Sequence, residues 1–133
     1  MTTSDVSIHV TACDNEIFLI ATQADKSFLL ANIKSGNNLS VDYTLQIKPG
    51  DFGGVKNVGS PDYPIEDTDT TTLPSGTYSL VVLGVDWGGS LEHFEVALNG
   101  GAKPFQSTYG PLHTPAGKGS GWASKNIEKF TIN

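Results

Sequence analysis

The chain has 133 residues, 38% of them hydrophobic, 17% charged, and a formal net charge of −6 with no arginine. That length suits one domain with a core of its own, and the acidic balance argues against general nucleic-acid binding, which needs a cationic footprint. No apolar run approaches the roughly 18 residues of a membrane span, and a lone Cys13 excludes an intrachain disulfide.

In chain order, the first segment is Met1 to Ile8, which shows neither a basic nor an apolar leader pattern. The expected location is therefore the cytoplasm, or export without a classical signal peptide. Val6, Ile8, Val10 and Ala12 alternate with Ser7, His9 and Thr11, the period of a half-buried strand. His9 falls on the polar face, where an exposed strand histidine is the expectation and a metal ligand is not. Asp14-Asn15-Glu16 reads as a turn, and a short buried strand follows over about Glu16 to Thr22. Phe28, Leu29, Leu30 and Ile33 fit a strand better than a helical turn, because the run is short and its surroundings are β. Ser35 to Asn38 is a turn. Asn38-Leu39-Ser40 has the form of a glycosylation acceptor, which carries little weight without a leader.

From Leu39 to Ile47 apolar and polar residues alternate strictly, which predicts an antiparallel strand with one wet face. Pro49 is expected to end it. Residues 52–72 read as a long polar loop, with a short edge strand around Val55 to Val58 or Tyr63 to Ile65. Next comes the longest apolar run, Thr77 to Val85, opened by Pro74-Ser75-Gly76. Its β-branched and aromatic content predicts a strand buried on both faces. It breaks at Asp86-Trp87-Gly88-Gly89 and resumes from Leu91 to Leu98, which reads as a central β-hairpin with Trp87 at its tip. In the second arm Phe94, Val96 and Leu98 form the core face, and His93 and Glu95 the wet one. Residues 102–123 read as a second long loop, and Ile127, Phe130 and Ile132 as a closing strand.

Six to eight strands at this spacing predict an all-β fold, a single antiparallel β-sandwich of jelly-roll or immunoglobulin-like type, with a small β-barrel as the second choice. In size, acidity and lack of disulfides the chain resembles small β-sandwich lectins and cytolysins, a likeness of composition without a shared motif.

Three constellations carry chemistry. The loop with Asp62, Glu66, Asp67 and Asp69 crowds carboxylates as a calcium site does, though no EF-hand spacing is present and plain solvation explains it too. Asp86, Trp87 and Asn99 offer an indole for the C–H face of a sugar ring, with polar groups beside it for its hydroxyls. Residues 102–123 combine Phe105, Tyr109, His113 and Trp122 with Lys103 and Lys118. That mixture suits a glycan, a lipid surface or a packed loop equally. No nucleophile elbow, phosphate loop or zinc pattern is present. The expectation is a non-enzymatic module that binds a glycan or glycoconjugate through Asp86, Trp87, Asn99, Tyr109, His113 and Trp122. Such a module gains avidity as a homo-oligomer, with an exposed sheet edge as the dimer contact. The rival readings are a membrane-active toxin or pore component using residues 102–123, and a structural or interaction protein.

Overall fold

In the computed structural model, residues 6–12, 16–34, 41–59, 65–86, 94–100, 105–109 and 121–133 are described. They form ten strands and no helix. The strands are β1 (Val6–Ala12), β2 (Glu16–Thr22), β3 (Ser27–Lys34), β4 (Val41–Pro49), β5 (Lys56–Val58), β6 (Ile65–Leu73), β7 (Gly76–Asp86), β8 (Phe94–Asn99), β9 (Phe105–Tyr109) and β10 (Gly121–Ile132). They make two five-stranded sheets. Sheet A has the order β6-β4-β1-β8-β9, and sheet B the order β10-β7-β2-β3-β5. The sheets pack as a β-sandwich and do not close into a barrel.

The core is the alternate row of each strand, as the period of two requires. Ile8, Val10, Tyr43, Leu45 and Leu98 come from sheet A, and Ile17, Leu19, Leu30, Leu80, Val82 and Phe130 from sheet B; all are buried. The alternation of β1 and β4 translates directly into this pattern. In β8, Val96 and Leu98 are buried, as expected, and the Phe94 side chain lies outside those described. The Tyr78 ring stacks on Phe130 at 5.6 Å between centroids, and its hydroxyl donates to the carbonyl of Pro74 at 2.7 Å. That bond ties down the chain where it passes from sheet A to sheet B. Sandwiches of the immunoglobulin type use a buried tyrosine at a sheet corner in the same way.

Four expectations need correction. First, β7 and β8 do not pair. β7 lies between β10 and β2 in sheet B, and β8 between β1 and β9 in sheet A. The predicted central hairpin is a crossing between sheets. Two apolar runs around a Gly-rich break suit either geometry, and only long-range partners choose between them. Second, β5 stands where a short edge strand was expected near Val55 to Val58, but the rest of the expected loop holds the nine-residue β6, which runs parallel to β4. β6 escapes a hydrophobicity reading because it is an edge strand: Ile65, Thr71 and Leu73 alone are buried in it. Its exposed acids also guard the edge against pairing with other chains. Third, residues 102–123 contain β9 and the start of β10. Finally, β4 runs through Pro49. Its antiparallel partner β1 ends at the pair Val6–Ile47, so the missing N–H removes no bond from that ladder. The two parallel pairs, β3 with β5 and β4 with β6, sit at sheet edges in an otherwise antiparallel structure.

Candidate functional site

Registers fix which strand ends share one end of the sandwich. Three residues separate the end of β1 from the start of β2, so these ends lie together. Glu16 pairs with Lys34 and Val85, Gly121 with Asp86, Glu95 with Ala12, Tyr109 with Phe94, and Ile65 with Val41. All five crossings that join these ends, 13–15, 35–40, 59–64, 87–93 and 110–120, therefore connect strands at the same end, the top. Asp86, Tyr109 and the Trp122 position belong to it. β9 and β10, edge strands of opposite sheets, also touch. Asn99 pairs with Ser7 at the bottom of sheet A, a full strand length away. Trp87, His113 and Asp62 lie outside the described residues, as do Cys13, Asn38 and His93.

The remaining acidic positions are divided by the strand period. Glu66 is on the outer row of β6 beside Asp42, whereas Asp67 and Asp69 are on the inner row. Asp69 Oδ2 accepts a 2.8 Å hydrogen bond from the Tyr43 hydroxyl, and Asp67 Oδ1 accepts one from the Thr68 amide at 2.9 Å. Burial, the bond to Asp69 and the charges of Asp69 and Asp67 push the Tyr43 phenol far above its usual range. Asp69 thus satisfies a buried hydroxyl. Among the described residues, no three His, Cys, Asp or Glu side chains converge as a metal site.

The outer face of sheet B holds groups that reading the chain segment by segment cannot assemble. The registers order it into four cross-strand rows. Lys34, Glu16, Val85 and Trp122 form the top row. Asn32, Phe18, Leu83 and Ser124 form the second, and Leu29, Ile20, Val81 and Asn126 the third. Ser27, Thr22, Ser79 and Lys129 form the bottom row. In the top two rows the Asn32 amide donates to Glu16 Oε2 at 2.8 Å and to the Ile17 carbonyl at 3.4 Å. Lys34 Nζ lies 4.0 Å from the same Glu16 oxygen. Glu16 is only 7% exposed and Asn32 8%. A carboxylate, an amide and an ammonium are thus tied together in line with the Trp122 position. In sequence Glu16 closes a turn signal and opens the next strand, and Asn32 and Lys34 carry no signal of their own. Their partners lie up to 18 residues away, so no local motif marks them.

At the bottom of the same sheet, a solvent-facing cavity of about 490 Å³ is lined by Thr22, Gln23, Ala24, Asp25, Thr77, Tyr78, Ser79 and Lys129. Its donors are largely committed to the protein. The Thr22 hydroxyl bonds to the Ser79 carbonyl at 3.3 Å, and the Gln23 amide to the Thr77 carbonyl at 3.4 Å. Gly76 makes room for that amide, since a Cβ there would sit 2.7 Å from Gln23 Nε2. Asp25 and Lys129 remain as its charged groups.

On the outer face of sheet A, His9 Nε2 lies 2.6 Å from Asp42 Oδ1, both side chains solvent-accessible. His9 is the strand-surface histidine that its place in the alternation predicts.

Compared with protein-family models, curated proteins and solved structures, the chain matches none.

Proposed function

We propose that the protein works by binding, and that its ligand is a carbohydrate held at the top of the outer face of sheet B. The observation that carries this reading is the top row, with Glu16, its bonded partner Asn32 and Lys34 in register with Trp122. A pyranose ring presents hydroxyls around its rim and C–H bonds on its faces. A carboxylate accepts from adjacent hydroxyls, an amide and an ammonium donate to them, and an indole covers the apolar face. Two strand spacings, about 10 Å, separate the β2 and β10 backbones, which is on the scale of one or two sugar rings. Asp86 and Tyr109 belong to the same end of the sandwich, on strands next to this row.

Titration calorimetry with a panel of mono- and oligosaccharides tests this, in calcium and in chelator. Saturable binding is expected with at least one sugar. Trp122→Ala and Glu16→Gln should each weaken it at least tenfold, while Asn99→Ala, at the opposite end, leaves it unchanged. Absence of binding across the panel, or binding indifferent to both top-row substitutions, overturns the reading. A requirement for calcium would bring Asp62 and its neighbours back as ligands.

A further inference from the structure

The cavity at the bottom of sheet B, about 490 Å³, is on the scale of small-molecule sites. Its walls are held by bonds within the protein. The turn after β2 is closed by the Gln23 amide, whose N–H donates to the Lys26 carbonyl at 2.8 Å. The Thr22 and Gln23 side chains bond to the carbonyls of Ser79 and Thr77, which ties that turn to β7. The Thr77 and Thr131 hydroxyls share a 3.0 Å hydrogen bond, which ties β7 to β10. Tyr78 is fixed by its stack on Phe130 and its bond to Pro74.

β10 is bulged at this place. Ile127 pairs with Leu80 and Lys129 with Ser79, so Glu128 is the extra residue. In an unbulged ladder Glu128 would face Ser79, and the cavity would carry an acid on both sides of β7. The bulge puts Lys129 in that position, with an ammonium. Bulges that re-aim a side chain recur beside active sites. Asp25 and Lys129 both line the cavity and are both exposed. Among the described residues, neither side chain has a hydrogen-bond or ion-pair partner.

We propose that this cavity is a second binding site, for a small zwitterion of dipeptide length, its ammonium on Asp25 and its carboxylate on Lys129.

Three features select that class. The two free charges are opposite, so a simple anion or cation is repelled by one wall. They stand on either side of β7, and the β2 and β10 backbones are two strand spacings, about 10 Å, apart. A single amino acid carries both charges on one carbon and meets one wall at a time, whereas an extended dipeptide reaches about 7 Å. Finally, the side chains of Thr22, Gln23 and Thr77 are already engaged, which leaves a polyol few partners. The Ser79 hydroxyl lies in the row between the two charges, where it can meet the peptide amide of the ligand. The inference is independent of the sugar reading, which concerns the other end of the sheet.

Amide NMR spectra of the isotope-labelled chain, titrated with alanyl-alanine bearing free termini, test the proposal. Saturable shifts are expected at Thr22 to Asp25, Thr77 to Ser79 and Lys129, with a Kd of about 1 mM or below. Acetylating the amino end or amidating the carboxyl end should each weaken binding about threefold, the scale of a solvent-exposed ion pair, and both caps together about tenfold. Asp25→Asn and Lys129→Gln should each cost about the same as one cap. Combining them assigns the ends: the acetyl cap should cost nothing more in Asp25→Asn, and the amide cap nothing more in Lys129→Gln. A merely structural role for either side chain would leave both caps costly in its variant. If a variant fails to fold, the capped peptides on the wild-type chain still decide. No saturable shift at about ten times the expected Kd overturns the proposal. So does equal affinity for the doubly capped peptide, or a response confined to the top rows of sheet B.

Discussion

On its outer face sheet A presents Ser7, His9 and Thr11 from β1, Asp42, Thr44 and Gln46 from β4, and Glu66, Thr68, Thr70 and Thr72 from β6. The corresponding positions of sheet B include Phe18, Ile20, Leu29, Val81 and Leu83, with Asn32 beside Phe18 and the charged Glu16, Lys34 and Lys129 in the top and bottom rows. Both sheets follow the same two-residue period and bury the same kind of inner face. They differ in what their strands carry on the other face. A strictly alternating strand is complete with one neighbouring layer, because water satisfies its second face. A continuously apolar strand is complete only with two. The contrast thus separates a surface finished by solvent from one whose free energy falls further when another layer covers it.

The sharpest way to break this comparison is to truncate the two faces of one strand. Leu80→Ala, on the inner face of β7, should cost about 3 kcal/mol through lost transfer energy and a cavity. Leu83→Ala, on the outer face, should cost about 1 kcal/mol in the monomer, since less area is withdrawn from water there. Urea denaturation reads both. Equal costs would mean that the chain itself covers the outer face, and the contrast would vanish.

A smaller effect sharpens the sheet A side. Tyr43→Phe should cost about 1 kcal/mol near neutral pH by removing the hydrogen bond to Asp69. It should also change the alkaline response. The folded phenol titrates above the unfolded one, so its contribution is fully present below about pH 10 and is lost as pH rises beyond it. Each pH unit in that window removes about 1.4 kcal/mol from the wild type. Urea midpoints between neutral and strongly alkaline pH should therefore fall more steeply for the wild type than for Tyr43→Phe. Equal slopes would remove Asp69 from its structural role.

The smallest effect is expected at the wettest place. Asp42→Asn faces His9 across exposed strand surface, and thermal unfolding should register a change within about 0.5 kcal/mol. A larger loss would mean that the outer face of sheet A is covered in the functional state.

How much was legible in the chain follows from the range of the forces involved. The periods of β1 and β4 are local, and they identify these strands and their buried faces with little else, whereas β2 shows only as a short apolar run whose inner face the sequence does not mark. β6 and β9 were hidden, since edge strands with few buried side chains leave almost no hydrophobic signal. Glu66 shows the limit for sites. In sequence it joins Asp67 and Asp69 in one acidic cluster, but the pleat sends it to the other side of the sheet. Glu16 and Asn32 show the converse, two unremarkable residues that a register makes partners.

The sequence alone determined that this is an all-β chain with alternating strands, an apolar segment at Thr77 to Val85, and a marked acidic bias, because each depends on residues near one another along the chain. Tertiary structure decided that β7 and β8 part into different sheets, that Asn99 lies far from Asp86, and that Trp122 aligns with Glu16 and Lys34. Those outcomes depend on pairing between distant segments, where the two-residue period converts a single step of register into the opposite face.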